Sequence, residues 1–255
     1  MSKNNIIKDN PWNFLKSFTN ARIAIGRSGN SITTNEMLKF QVAHAQARNA
    51  VHTEIDIDLF IKDLKELKKE IITLNSAVQN KREYLQRPDL GRKLSLESEN
   101  ILNNYPNKSF DLAIVVTDGL SSSAITRNVK PFLEEFLPKL DGWNLAPLVF
   151  VKYGRVAVGD PVASLLKADA VALLVGERPG LSSPDSLGIY MTYNPKVGMT
   201  DEGRNCISNI RPEGLNYKRA SEKLFYLLNQ AKLKKISGVN LKDEMIEDSD
   251  WKLIN

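Results

Sequence analysis

The 255-residue sequence contains one cysteine, Cys206, and two histidines, His44 and His52. A single thiol excludes a disulfide framework and points to a reducing, cytoplasmic setting. The histidines fall eight residues apart on one expected helix. At ~1.5 Å rise per residue they are about 12 Å apart, too far to share a metal ion. With no cysteine or carboxylate at ligand spacing beside them, no zinc site is expected. No apolar run approaches the roughly 20 residues that span a bilayer. The first twenty residues have neither a continuous apolar core nor a small-residue cleavage site, so no secretory signal is expected. Gly-x-Gly-x-x-Gly after a strand and Gly-x-x-x-x-Gly-Lys-Ser/Thr are both missing, so no phosphate-cradling loop has support.

What remains has globular composition, 42% hydrophobic and 25% charged. The net charge of +5 comes largely from lysines interleaved with acids, as in Lys62-Asp-Leu-Lys-Glu-Leu-Lys-Lys-Glu70. Such alternation marks a solvated helix face more than a nucleic-acid surface. The cluster Lys232-Leu-Lys-Lys235 is offset by Glu247-Asp-Ser-Asp250. Neither a nucleic-acid nor a membrane partner is expected.

Residues 1–20 read as an N-terminal extension in which Trp12, Leu15 and Phe18 share a helical face. Its role is docking or encapsulation, or simply that of a frayed terminus. Residues 21–106 read as a helical domain. Ala21–Ile25 suggests a short extended piece, and Thr33 with Glu36 a capping box. The following helix carries Phe40, Ala43, Ala47 and Val51 on one face. Ile57, Phe60, Leu64, Leu67, Ile71, Leu74 and Val78 recur in steps of three and four, the heptad seam of a second long helix. That seam pairs within the chain or with a partner.

Asn103-Asn-Tyr-Pro-Asn107 reads as a boundary, and residues 107–255 as a Rossmann-like domain. Asp111–Thr117 is a strand stopped at Asp118-Gly119. Ser122–Leu137 follows as a helix offering Ile125, Val129, Phe132, Leu133 and Phe136 to a core. Leu148–Val151 and Ala170–Val175 are further strands, Arg155–Val158 a short one, and Pro161–Lys167 a short helix. A long polar loop then carries Cys206, and Ser221–Lys235 closes as an amphipathic helix. The fold class is therefore α/β, a helical part followed by a mostly parallel sheet covered by helices.

In such sheets ligands occupy the crevice beyond the carboxyl ends of the strands. Gly176-Glu-Arg-Pro-Gly180 lies there and suits a polar ligand. Asp118 is a turn or ligand-loop residue or, less in keeping with Asp-Gly, a catalytic carboxylate. Ser121 to Ser123 cap the next helix, bind a ligand, or both. Nothing lowers the pKa of Cys206 at the level of sequence. A polar crevice without a catalytic set points to a subunit that binds a cofactor or a partner. A scaffold built on the heptad helix and a self-sufficient hydrolase using Asp118 are the competing classes.

Several segments resemble, in order, the ethanolamine ammonia-lyase small-subunit family. They are Ala21-Arg-Ile, Gly26-Arg, Ala45-Gln-Ala-Arg-Asn-Ala-Val, Arg87-Pro-Asp-Leu-Gly-Arg-Lys-Leu-Ser95 and Val115-Val-Thr-Asp-Gly-Leu-Ser121. Further along come Gly154-Arg-Val-Ala-Val-Gly-Asp160, Gly176-Glu-Arg-Pro-Gly-Leu181, Ser186-Leu-Gly188 and Arg204-Asn-Cys-Ile-Ser-Asn-Ile210. Ser31-Ile-Thr-Thr departs from the family pattern, where a Leu-Pro pair is usual. The resemblance implies a large catalytic partner subunit, a TIM barrel that binds ethanolamine, with adenosylcobalamin between the two. Radical chemistry begun at the cobalt–carbon bond then yields acetaldehyde and ammonia. It assigns cobalamin contact to Val156, Glu177 and Cys206 and no catalytic side chain to this chain. Without Asp-x-His-x-x-Gly, the cofactor is expected to keep its own dimethylbenzimidazole on cobalt. Ethanolamine catabolism of this kind often sits in a bacterial microcompartment, the expected location within the cytoplasm.

Overall fold

A computed structural model describes residues 7–8, 10–19, 21–106 and 109–245. Residues 1–6, 9 and 20 of the N-terminal extension, Asn107 at the expected boundary and Glu247–Asp250 of the tail lie outside them.

Strands β1 (Ile7–Lys8) and β2 (Arg27–Ser28) pair as a small antiparallel ribbon. Helices α1 (Thr34–His52) and α2 (Ile57–Leu64) precede strand β3 (Ile71–Asn75). Helices α3 (Lys81–Gln86) and α4 (Leu96–Asn103) lead to strand β4 (Phe110–Thr117) and helix α5 (Ser122–Phe136). Strand β5 (Leu148–Lys152), helix α6 (Gly159–Leu166) and strand β6 (Ala168–Gly176) follow. Strands β7 (Leu187–Tyr193) and β8 (Asn205–Ile210) and helix α7 (Tyr217–Lys234) complete the fold.

The main sheet has the order β3-β5-β4-β6-β7-β8. Its first four strands run parallel and its last two antiparallel. Alternate side chains of the central strands β4 and β6 enter opposite cores, as the two-residue period requires. Leu112, Ile114 and Val116 of β4 meet α2, α5 and α7 on one face, while Ala113 and Val115 meet α4 and α6 on the other. The five apolar residues expected of α5 are all fully buried. At about 1.5–3 kcal/mol for each large side chain, as an upper bound, they clamp that helix to the sheet.

Several expectations need correction. The heptad helix does not exist as one element. After α2, a short 3₁₀ turn ends at Lys68 in the left-handed region, φ 55°, and Ile71-Ile72-Thr73 extend as an edge strand against β5. Steps of three and four suit a helix on paper, but β-branched residues beside an open sheet edge gain a hydrogen-bonded partner by extending. Arg155–Val158 is not a strand; Val156–Val158 forms a 3₁₀ turn running into α6. Ala21–Ile25 is irregular, and the strand lies at Arg27–Ser28 instead. Thr33 starts α1 without a side-chain cap bond, and Glu36 bonds Lys39 at 2.9 Å instead of reaching back. Of the α1 face only Ala43 is fully buried, and Phe40 is exposed. Pro11–Ser17 is a 3₁₀ helix with Trp12 and Phe18 exposed. The long loop contains β7 and β8, so Cys206 lies on the outermost strand.

Candidate functional site

The carboxyl ends of β3, β5, β4 and β6 bring Ser76, Tyr153, Asp118 and Glu177 to one end of the sheet. The connections after β4 and β6 leave in opposite directions, toward β5 and β7, which opens a crevice between them.

The loop from Tyr153 to Val158 forms one wall, and each of its first backbone groups is claimed. Asp118 Oδ1 accepts the Tyr153 N–H at 2.7 Å, and Thr117 Oγ1 accepts that of Gly154 at 2.9 Å. Gly91 O accepts the Arg155 N–H at 2.7 Å. Ser76 Oγ and the Tyr84 hydroxyl donate to the carbonyls of Tyr153 and Gly154, at 2.9 and 3.3 Å. Tyr153 takes φ 55°, a left-handed conformation that costs a bulky residue energy and persists here because its neighbours fix it. Gly154 is required by space, since a Cβ there would stand 2.6 Å from Thr117 Oγ1.

Asp118 is 1% exposed. Burial pushes its carboxyl up to about 6, against the opposing pull of Lys81 and the Tyr153 N–H. Its oxygen is committed to the loop backbone, so the turn-or-ligand-loop reading holds in a sharper form: it anchors a loop. Ser121 caps α5 by accepting from Ala124 N at 3.3 Å and donates to Pro184 O at 2.9 Å. Lys81 is 7% exposed, and among the described residues its ammonium has no hydrogen-bond partner. It faces the Tyr84 ring at 5.2 Å, and burial lowers its pKa against the countervailing charge of Asp118.

The opposite wall is Glu177. Its carboxylate accepts from Ser186 Oγ at 2.6 Å, Ser208 Oγ at 2.5 Å and Asn209 N at 3.2 Å. Gly188 leaves it room, because a Cβ there would approach Oε1 to 2.8 Å. Between the walls lies a cavity of about 410 Å³ lined by Tyr84, Arg155, Val156, Glu177, Arg178 and Tyr190 among others. The Arg155 guanidinium stacks on Tyr84 at 4.2 Å and donates to its carbonyl at 2.9 Å, and its buried Nε has no hydrogen-bond partner among the described residues. Cys206 is opposite Tyr190 in the β7–β8 register. The residue is exposed, yet shielding of the thiol beside Tyr190 and the charge of Glu177 push its pKa up, while the Tyr190 hydrogen bond opposes them. Tyr190 is itself pushed up to about 12 by burial and by Cys206. Val156, Glu177 and Cys206, distant in sequence, thus gather on one surface.

Arg204 braces that surface from behind. It bonds Asp160 through both terminal nitrogens at 2.7 Å, and Thr192 Oγ1 and Met199 O at 3.2 and 3.0 Å. Both side chains of the pair are buried. Among the described residues, no group of three or more His, Cys, Asp or Glu could hold a metal ion, and no helix is long and apolar enough to cross a membrane.

Residues 9–242 match the family model described as "Ethanolamine ammonia-lyase light chain (EutC)". The chain belongs to that family. A curated protein named "Ethanolamine ammonia-lyase small subunit" from Pseudomonas fluorescens is 51% identical over 249 residues, 96% of this chain and 91% of the relative. One of the same name from Pseudomonas putida is 52% identical over 241 residues, covering 92% and 89%. Another from Pseudomonas syringae pv. tomato is 51% identical over 247 residues, covering 95% and 86%. Membership of the light-chain family makes this a subunit of a lyase and implies a large-subunit partner. Tyr84, Lys81 and Tyr190 were not singled out in the sequence. The fold buries Lys81 and Tyr84 of α3.

Proposed function

We propose that this chain completes an adenosylcobalamin site against the large catalytic subunit, and that the complex converts ethanolamine to acetaldehyde and ammonia. The observation that carries the reading is the crevice at the sheet's carboxyl end that Val156 and Glu177 line together, with Cys206 opposite Tyr190 of the same lining on the neighbouring strand.

The residues fit the cofactor's chemistry. The corrin edge presents neutral primary amides, which both donate and accept hydrogen bonds. The Glu177 carboxylate makes three of roughly four possible acceptances, leaving capacity for one amide N–H. Arg155 Nε is a buried donor in want of an acceptor, which an amide oxygen satisfies. Val156 and Cys206 offer backbone and apolar contact at the rim. When bound, the cofactor supplies a carbon-centred radical by homolysis of its cobalt–carbon bond. This chain's part is to bind and orient: Asp118 and Thr117 hold the Val156 loop, Ser186 and Ser208 hold Glu177, and Tyr84 holds Arg155. Ethanolamine and the catalytic side chains would belong to the large subunit. Burial of Asp118 and its commitment to Tyr153 weigh against a hydrolase built on it.

Location in the cytoplasm, within a microcompartment, is part of the proposal; the exposed Trp12, Phe14 and Phe18 suit encapsulation. A chain beginning at Ala21 is expected to assemble and turn over normally; complete loss of turnover with normal assembly would contradict a purely docking extension. The test of the main reading is acetaldehyde formation from ethanolamine by this chain and the large subunit, separately and mixed. Turnover only in the mixture, and only with adenosylcobalamin, is expected. Turnover by this chain alone would refute it.

A further inference from the structure

Residues 177–186 join β6 to β7 and carry Glu177 at their start. Within this segment the backbone bonds to itself from Glu177 N to Ser186 O and from Gly180 N to Ser183 O, each at 3.0 Å. Four of its other carbonyls are gripped by side chains from elsewhere in the fold. Arg22 donates to Leu181 O at 3.3 Å, Arg211 to Ser182 O at 3.2 Å, Ser121 to Pro184 O at 2.9 Å and Asn128 to Asp185 O at 2.7 Å. The last is the shortest of the four. Asn128 lies on α5 and is 2% exposed. Its amide nitrogen also donates to Ala124 O at 2.9 Å, and its oxygen accepts from the Tyr217 hydroxyl at 2.8 Å. Carbonyls can only accept, so the pair of them fixes which end of the amide is nitrogen.

The bond to Asp185 acts on Glu177 at short range. The Asp185 carbonyl and the Ser186 N–H share one planar peptide unit, so gripping the carbonyl orients Ser186. Ser186 in turn meets Glu177 twice. Its carbonyl accepts the Glu177 N–H at 3.0 Å, and its hydroxyl donates to Glu177 Oε2 at 2.6 Å. Arg127 ties the Asp185 carboxylate at 2.6 Å, but the arginine side chain is 68% exposed, and exposed pairs contribute little. We infer that Asn128 is a positioning residue for cofactor binding: braced by Tyr217, it holds the 185–186 peptide so that Ser186 aims the Glu177 carboxylate into the crevice. Asn128 itself touches no cofactor. The inference rests on the reading of Glu177 as a cofactor contact and adds what keeps that contact in place. An amide that merely filled a polar gap between α5, α7 and the segment would support stability without acting on Glu177.

The test is a double-mutant cycle on the complex with its large subunit, read by equilibrium dialysis of adenosylcobalamin. Asn128→Ala is expected to weaken binding about threefold to tenfold, the worth of one neutral hydrogen bond. In a Glu177→Ala background the same substitution is expected to weaken it no further. Without cofactor, amide hydrogen exchange across residues 177–186 is expected to quicken in Asn128→Ala. If that variant does not assemble, Tyr217→Phe takes its place in the cycle. It removes only the hydroxyl that braces the Asn128 amide, and is expected to lose about twofold to threefold. Equal losses with and without the Glu177 carboxylate, or a lowered melting temperature with unchanged affinity, would overturn the inference. Wild-type affinity in Glu177→Ala alone would remove the cofactor reading and this inference with it. That single variant shows it whatever Asn128 does, so the two failures are told apart.

Discussion

Asp118, at the end of β4, and Tyr153, at the end of β5, are joined by a 2.7 Å hydrogen bond from the Tyr153 N–H to the Asp118 carboxylate. Through it, a residue buried under the crevice fixes the start of the loop that carries Arg155 and Val156 into it. The bond also exposes the loop to titration, because the carboxyl is pushed up to about 6 by burial.

A raised carboxyl pKa means the folded protein holds the proton more tightly than the unfolded chain. Asp118 therefore contributes stability that is full below about 4 and lost as pH rises through about 6. Asp118→Asn keeps an acceptor for Tyr153 N and removes the titration. It is expected to flatten the pH dependence of the melting temperature between pH 4 and 6, and to be more stable than the wild type at pH 7.5 by roughly 1–3 kcal/mol. Asp118→Ala, without the acceptor, is expected to lose cofactor affinity. Melting curves across pH for both variants check this; an Asn variant with the wild-type pH profile would contradict it.

Arg204 and Asp160 form a buried bidentate pair. Arg204→Ala leaves the Asp160 carboxylate buried without its partner and is expected to cost about 3–5 kcal/mol. Urea unfolding monitored by circular dichroism measures it. A loss below ~1 kcal/mol, the scale of an exposed pair, would mean that solvent reaches Asp160.

Glu177→Ala is expected to weaken adenosylcobalamin binding by the complex roughly tenfold to a hundredfold, the value of a charge-assisted acceptor. Glu177→Gln keeps one acceptor oxygen and is expected to lose less. Arg204 is taken by Asp160, so Arg204→Lys is not expected to reproduce the Glu177 effect. Cofactor titration of each assembled variant decides; unchanged affinity in the Ala variant removes Glu177 from the site.

The Cys206 thiol, with its pKa pushed up chiefly by shielding from solvent, is expected to alkylate slowly at pH 7.5 and faster above pH 9, since only the thiolate reacts. Adenosylcobalamin is expected to slow the reaction further in the assembled complex. Iodoacetamide labelling followed by mass spectrometry tests both points. Labelling that is fast at pH 7.5 and indifferent to the cofactor would separate Cys206 from the site.

The strands β4, β5 and β6 were legible because burial on both faces writes them as unbroken runs such as Ala113-Ile-Val-Val116. Helix α5 was legible because its apolar stripe is uninterrupted. β3 was misread because Ile71 and Leu74 satisfy a helical step as well as a strand, and only the open edge of β5 decides between them. β7 and β8 escaped because Gly188, Asn205, Ser208 and Asn209 blur the alternation that marks strands. Val156, Glu177 and Cys206 came from the resemblance, with the crevice rule pointing to Glu177 alone. Lys81 and Tyr84 gave no signal, since their inward placement depends on the loop at Tyr153 that packs over them.

Equilibrium binding of adenosylcobalamin to this chain, to the large subunit and to their mixture tests the central claim most directly. A site built from both subunits predicts tight, saturable binding by the mixture and binding weaker by at least about tenfold for either subunit alone. Equal affinity for the large subunit with and without this chain would contradict it.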